Sequence, residues 1–245
     1  MNGLGESRPA PEALVADKSR TPRMFDAIAH RYDLLNHVLS FNVDRGWRRA
    51  LVAYARARAG ERVLDVATGT ADVAVEFARR TRAGAIAGLD PSGGMLAVGR
   101  VKLAREGMDA RIDLVEGDAL ALPFQDASLD VVSIAFGLRN LPDYQPGARE
   151  MARVLKPGGR LVVLEFMPPR GPTLLAYRFY LGAVLPVAGR VISGSSEAYG
   201  YLSASIRGFM DASEVRALVA GAGLRHVESR RLTGGIAALY RGVKS

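Results

Sequence analysis

Three stretches of this sequence put residues able to do chemistry where an apolar run ends. Val63-Leu64-Asp65-Val66 runs into Ala67-Thr68-Gly69-Thr70-Ala71, small residues that let a ligand approach the backbone, and Asp72 opens a helix-length segment whose first amides favour an electron-rich group. Only Gly69 stands where a dinucleotide fingerprint needs three glycines, which argues against a pyrophosphate ligand. Ala87-Gly88-Leu89-Asp90 ends a second run in a carboxylate that can accept both hydroxyls of a ribose. Gly117-Asp118-Ala119-Leu120 follows a third, where Asp118 can accept from an exocyclic amine and the amides near Ala119 can read a ring edge. Each has a plainer reading: a tight strand–helix turn, an N-cap, a surface turn. Together, in this order and without a phosphate cradle, they suit the nucleoside of S-adenosylmethionine.

The elements that must position these residues show in the periodicity. Apolar runs at Arg62–Ala67, Ala85–Asp90, Ile112–Glu116, Leu129–Ala135 and Arg160–Phe166 read as strands, with helix-length segments such as Asp72–Arg80 and Ser92–Arg105 between most of them. That alternation predicts an α/β fold with a parallel sheet and crossover helices. Lys156-Pro157-Gly158-Gly159 is expected to be the turn between a helix ending near Leu155 and the fifth strand. Before the sheet, Phe25, Ile28, Ala29 and Tyr32 recur on one helical face. After it, Asp211 with Glu214 opens a helix as a capping box would, and His226–Thr233 and Ile236–Gly242 flank a Gly234-Gly235 hairpin turn.

The 245 residues are expected to divide into a flexible tail (1–21) and one domain (22–245), made of a helical front (22–59), a ligand-binding core (60–166), an apolar insertion (167–209) and a C-terminal helix and hairpin (210–245). With no cysteine, and with His30, His37 and His226 scattered, disulfide scaffolds, thiol nucleophiles and familiar metal sites are excluded, so no metal is expected. The net charge is +8, but only four of the 33 basic residues are lysine and the arginines are spread without an aromatic-interleaved stripe, so no nucleic-acid partner is expected. The start of the chain lacks the apolar core of a signal peptide, and the longest uncharged piece of 174–192 is shorter than the about 20 residues that span a bilayer. A cytoplasmic protein is expected, with peripheral contact to the inner membrane surface as an addition.

At Tyr32-Asp33-Leu34-Leu35-Asn36, Ser40–Arg48 (SFNVDRGWR), Phe136-Gly137-Leu138-Arg139-Asn140 and Arg153–Phe166 (RVLKPGGRLVVLEF) the chain resembles the demethylmenaquinone and ubiquinone-precursor C-methyltransferases, and Tyr201-Leu202, Ser205-Ile206-Arg207 and Thr233–Gly242 agree. The resemblance implies a Rossmann-like class I methyltransferase fold, a seven-stranded, mostly parallel sheet ending in an antiparallel hairpin, with a helical N-terminal front and an inserted lid. It implies cofactor contacts from Thr70, Asp90, Asp118 and Ala119, with Asp65 and Gly69 shaping the methionine end. The chain departs from the family pattern at Ala135, where some relatives carry a serine, and in its ATGTAD loop, which is less glycine-rich.

In such sheets the loop after the fourth strand faces the methyl group. Here it carries Arg139 and Asn140, and a guanidinium there repels a cationic amine and stabilises an anionic oxygen. The acceptor is then expected to be a quinol: demethylmenaquinol, giving menaquinol by C-methylation, or in the alternative a ubiquinone-precursor benzoquinol or another small phenol. Arg139 would stabilise the oxyanion, Asn140 orient the hydroxyl and Phe136 pack on the ring, with His30, Tyr32 and Asp33 as candidates for moving the proton. A prenylated quinol needs an apolar path. Residues 174–192, with Tyr177, Phe179 and Tyr180, offer a lid or a membrane-surface segment whose Arg178 and Arg190 could meet acidic headgroups; a core helix or homodimer contact explains the same apolarity. A different small-molecule or RNA methyltransferase, and a non-catalytic nucleoside-binding protein, are the competing functions.

Overall fold

A computed structural model of the chain describes Lys18, residues 21–40, 42–167, Leu174 and 196–245, the side chains at 31, 34–39 and 196–199 excepted. Apart from Lys18, Thr21 and Leu174, the tail expected at 1–21 and the lid expected at 174–192 lie outside the described residues. Helices α1 (Thr21–Leu39) and α2 (Val43–Ala55) precede β1 (Arg62–Val66), α3 (Asp72–Arg80), β2 (Ala85–Asp90), α4 (Gly93–Glu106), β3 (Ile112–Glu116), β4 (Leu129–Ala135), α5 (Tyr144–Val154) and β5 (Leu155–Phe166). Then follow α6 (Ser196–Arg207), α7 (Ala212–Gly221), β6 (Leu224–Leu232) and β7 (Ala237–Lys244).

The strands form one sheet in the order β3-β2-β1-β4-β5-β7-β6, parallel throughout except for β7, which runs antiparallel to both its neighbours. Neighbouring residues of a strand feed opposite layers, as a pleated strand requires. Val63 packs with Leu51, Phe77 and Val131 under α2 and α3, whereas Leu64 and Val66 pack with Val132, Met151 and Val215 under α5 and α7. Strands covered on both faces read as near-continuous apolar runs, which is why β2 and β4 stand where the sequence predicts them; the edge strand β3 is only partly buried but also stands where predicted.

The fifth strand differs from the expectation. It begins at Leu155, directly after α5, and the Lys156–Gly159 stretch is a bulge within it: Leu129 pairs with Leu155 and Val131 with Arg160, so the extra residues of β5 loop out. Gly158 takes φ +76 there, and a Cβ on Gly159 would stand 2.8 Å from the Lys156 carbonyl oxygen. The Gly234-Gly235 turn is present as a single 3-10 turn, Thr233–Gly235, joining β6 to β7.

Helix α1 lies along α4, fixed by two carboxylates on one face. Asp26 Oδ1 accepts from Ser92 Oγ (2.5 Å) and Gly94 N (2.9 Å) at the start of α4, and Asp33 Oδ2 pairs with Lys102 Nζ at 2.6 Å further along it. At the far end of the chain Asp211 caps α7 by accepting from Ser213 N and Glu214 N, while Glu214 returns to Asp211 N, a complete capping box.

Two expectations follow. Asp211→Ala removes the cap and is expected to cost about 1 kcal/mol, seen as a melting temperature lower by about 2–4 °C in circular dichroism. Gly137→Ala puts a Cβ 2.5 Å from the Ala67 Cβ, where Ala67 is already held at φ 51. Overpacking between two fixed backbones is expected to cost about 1–3 kcal/mol in urea unfolding, and a loss near zero would mean the β1 and β4 loops are free to separate.

Candidate active site

In a parallel sheet every strand delivers its carboxyl end to the same edge, and here the loops after β1, β2, β3 and β4 meet beneath α1. They enclose a cavity of about 340 Å³, lined by Gly69, Asp90, Asp118, Ala119 and Asn140 from the sheet edge and by Thr21, Phe25 and Tyr32 from α1. Lys18 closes one side, its Nζ donating to the Leu141 carbonyl and the Tyr144 hydroxyl, both at 2.8 Å, and standing 4.0 Å over the Tyr144 ring. Burial lowers the Lys18 pKa, with Asp143 and Glu165 opposing the shift.

Asp90 is held in this cavity by two amides. Its Oδ2 accepts from Gly69 N at 2.8 Å and its Oδ1 from Ser92 N at 2.9 Å, which leaves each oxygen a further lone pair for a ligand hydroxyl. Burial pushes its pKa up to about 6 against those two bonds, and the nearby Asp26 carboxylate adds to the rise. Asp118 accepts from Leu120 N at 2.9 Å, fixing its carboxylate beside the buried Ala119.

Asp65 and Thr70 line neither this cavity nor the one beside it. Asp65 is 1% exposed and accepts from Thr68 Oγ1 and Ser133 Oγ, both at 2.7 Å, so it ties the β1 loop to β4. Burial pushes its pKa up to about 7, with both hydroxyls pulling the other way. Thr70 Oγ1 lies 2.5 Å from Asp33 Oδ1 and 3.1 Å from Lys102 Nζ, joining the β1 loop to α1 and α4. His30 is exposed on α1 and lines neither cavity.

A second, smaller pocket of about 70 Å³ adjoins the first, and Phe25, Tyr32 and Phe136 line both. Its wall is a triangle of rings: Phe136 and Phe166 centroids stand 4.5 Å apart, and Trp47 is 5.9 Å from each. Phe136 takes φ 56, a left-handed conformation unusual for an aromatic residue. Trp47 Nε1 donates to Thr233 Oγ1 at 2.8 Å, fixing the indole against the hairpin turn.

Arg139 is 4% exposed in this wall. Its Nη1 donates to Glu165 Oε2 at 2.9 Å and to the Phe136 carbonyl at 2.6 Å, and its guanidinium carbon lies 5.2 Å from the Phe166 ring centroid. The second cation, Arg48, is bound to Asp44 and lies 3.3 Å from Asp72. Burial opposes its charge, but Asp72 and Asp44 outweigh it and raise its pKa. Asn140 sits in the larger cavity, its Oδ1 accepting from the Tyr201 hydroxyl at 3.0 Å.

The structure thus brings together Gly69, Asp90, Asp118, Ala119, Asn140 and Tyr32 in one cavity, with Arg139 in the pocket beside it. Sequence reasoning missed Glu165, Trp47, Phe166, Arg48 and Lys18. Glu165 carried a signal, since an acid inside the apolar run Leu161–Phe166 needs a buried partner.

Known proteins resemble this chain in sequence and in fold. A model of the ubiE/COQ5 methyltransferase family matches residues 13–244. A demethylmenaquinone methyltransferase of Thermus thermophilus is 47% identical, over 89% of this chain and 99% of its own. One of Deinococcus radiodurans is 46% identical over 98% of both chains, and a ubiquinone/menaquinone biosynthesis C-methyltransferase of Geobacter sulfurreducens is 49% identical over 90% of this chain and 87% of its own. Among solved structures, a SAM-dependent methyltransferase from Thermotoga maritima, described as a possible histamine N-methyltransferase, superposes with TM-score 0.65 at 18% identity over 91% of this chain and 99% of that one. The [4+2]-cyclase SpnF superposes with TM-score 0.68 at 17% identity over 100% and 99%. The two structures share the fold; on the family match and the identity to these sequence relatives, the chain belongs to the ubiE/COQ5 methyltransferase family.

Proposed function

We propose that the chain transfers the methyl group of S-adenosylmethionine to a ring carbon of demethylmenaquinol, giving menaquinol. The observation that carries the reading is the pair of joined cavities: one holds a two-amide carboxylate, Asp90, with Asp118 and Ala119 and no cluster of cations, and the other is walled by aromatic rings and the buried Arg139. The names of the relatives supply the substrate class.

The residues fit such a donor. Asp90 offers free lone pairs on two fixed oxygens to a ribose diol, and Asp118 and Ala119 stand where an adenine edge would be read. A sulfonium methyl is the electrophile the donor supplies when bound. On the acceptor side, Phe136, Phe166 and Trp47 give a flat apolar wall for a naphthalene ring, and Tyr32 and Asn140 lie where the two cavities meet or beside that point. Losing a proton from one quinol hydroxyl makes an oxyanion whose charge reaches the ring carbon, and once the methyl is gained there that carbon's own proton leaves and the ring regains aromaticity. Arg139 stabilises that oxygen, Asn140 orients it, and Tyr32 is the proton-moving group within reach of both cavities. Asp65, Gly69 and Thr70 act on the cofactor through the shape of the β1 loop. His30 keeps a role only through water.

The relatives' shared name with ubiquinone biosynthesis supports a benzoquinol precursor as a second acceptor. Among the described residues no helix is long and apolar enough to cross a membrane, and no group of three or more His, Cys, Asp or Glu could hold a metal ion. Contact with the membrane surface and with a prenyl tail through the apolar stretch 174–192, and pairing into a homodimer, belong to this proposal too.

Two measurements test it. Labelled S-adenosylmethionine with reduced demethylmenaquinone is expected to give methylated naphthoquinol, with a reduced ubiquinone precursor alongside to show how far the pocket discriminates; cofactor binding with no transfer to either would remove the substrate assignment. The second is a pH dependence. Asp90 accepts ribose hydroxyls as a carboxylate, and its free-protein pKa is raised to about 6, so protons compete with the ligand only below that value. Affinity for S-adenosylmethionine is expected to be flat above pH about 7 and to fall by up to about tenfold per unit below pH 6. Asp90→Asn should bind weakly with that fall removed, as read by calorimetry.

A further inference from the structure

Glu165 stands at the carboxyl end of β5, 1% exposed, in the wall behind Phe136 and Phe166. A carboxylate so deep is retained only where its lone pairs are met. Its Oε1 accepts from the Arg139 amide at 3.1 Å, and its Oε2 from Arg139 Nη1 at 2.9 Å and from the Phe166 amide at 3.0 Å. It therefore grips Arg139 twice, once by backbone and once by side chain, and ties the loop after β4 to the end of β5.

The way it grips the guanidinium is informative. An arginine–carboxylate pair gains most when two nitrogens meet two oxygens in parallel. Here both side-chain bonds of Arg139, to Glu165 and to the Phe136 carbonyl, are made by Nη1 alone, and Nε is buried with no hydrogen-bond partner. The guanidinium is pinned at one nitrogen between two rings, 5.2 Å from the Phe166 centroid and 6.0 Å from that of Phe136, in a residue that lines the aromatic pocket.

We infer that Glu165 is a positioning residue of the methyl-transfer site, holding Arg139 by Nη1 so that the rest of its guanidinium is kept for an acceptor oxygen in the aromatic pocket. The inference rests on the proposed quinol chemistry at Arg139. Glu165 touches no substrate in this arrangement. It fixes the angle of the cation and offsets its charge, so that a neutral quinol is admitted and the attraction grows only as the oxygen becomes anionic.

The test combines Glu165→Gln, Arg139→Met and the double variant with two readouts. Glu165→Gln is expected to lower kcat about a hundredfold, the scale of a small misplacement of a catalytic group, while the dissociation constant for S-adenosylmethionine stays within about twofold. In the Arg139→Met background the same change should alter kcat by less than about threefold, because the effect runs through Arg139. Glu165→Asp, which keeps the charge on a shorter arm, should lose about tenfold in kcat and carries the comparison if the glutamine variant does not accumulate as folded protein. The second readout needs no turnover. Trp47 is the chain's one tryptophan and lines the pocket with Arg139, so its emission reports occupancy. Lawsone, a hydroxynaphthoquinone that is anionic at neutral pH, should quench it, and Glu165→Gln, which removes the carboxylate that offsets the guanidinium, should tighten that binding about tenfold while kcat falls. An unchanged kcat, or an equal loss in both backgrounds, overturns the inference while leaving quinol methylation standing. If the wild-type protein methylates no quinol, the functional reading falls and the quenching decides: tighter binding in Glu165→Gln sustains the role of Glu165 in restraining the cation, and quenching that is absent, weaker or indifferent to the variant overturns it.

Discussion

The sheet edge depends on one carboxylate that no water reaches. Asp65 lies in the centre of β1, and its two oxygens take the hydroxyls of Thr68 and Ser133, one from its own loop and one from β4. Thr68 in turn donates its amide to the Leu89 carbonyl of β2, and its own carbonyl accepts from Ala71 N at the start of α3. Three parallel strands and a helix are thus referred to a single side chain. The cost is visible in the same atoms, since burial drives its pKa up to about 7 despite both bonds. A hydrophobic residue there would be cheaper for the core, but it could not dictate where the β1 loop turns, and that loop supplies Gly69 to Asp90.

Strain is placed at the same edge. Ala67, Ala71 and Phe136 all take positive φ without being glycine, at about 1–2 kcal/mol each by the usual steric penalty. Ala67 and Phe136 line the cavity, and Gly137 fits beside Ala67 only because it lacks a Cβ. These conformations persist because the strands below are over-determined by packing in two layers. The loops above are thereby pre-formed, and a ligand entering them meets amides already aimed at it.

What the sequence disclosed follows the same division. Strands β2 and β4 and helix α3 were legible to the residue because double-sided burial writes itself as an apolar run and because Arg80 gives way to a break, and the edge strand β3 was legible from its short apolar run Ile112–Val115. Gly69, Asp90, Asp118 and Ala119 were legible because topology alone brings successive strand ends together. The Lys156–Gly159 bulge was not, since a Pro-Gly-Gly run carries the same composition whether it ends a strand or interrupts one. Asp65 and Thr70 were legible as important types but not as to what they touch. Hydroxyl partners from β4, and a carboxylate from α1 in the case of Thr70, are long-range facts that no local spacing encodes. The triangle of Trp47, Phe136 and Phe166 is of that kind as well, three rings from α2, the β4 loop and β5.

The charges around the aromatic pocket come in balanced pairs. Both buried cations there come with acids, Arg139 with Glu165 and Arg48 with Asp44 and Asp72, so the pocket offers directed donors with little net charge. A permanently charged phenolate would gain from a bare guanidinium at once, and that attraction would be spent on binding rather than on reaction. A neutral acceptor enters such a pocket on its apolar surface, against rings held 4.5 Å and 5.9 Å apart. It meets the fixed donor edge only as its oxygen gives up a proton. In the proposed chemistry the ion pair does more by restraining Arg139 than Arg139 could do alone, because a donor that need not reorganise stabilises charge at the moment it develops.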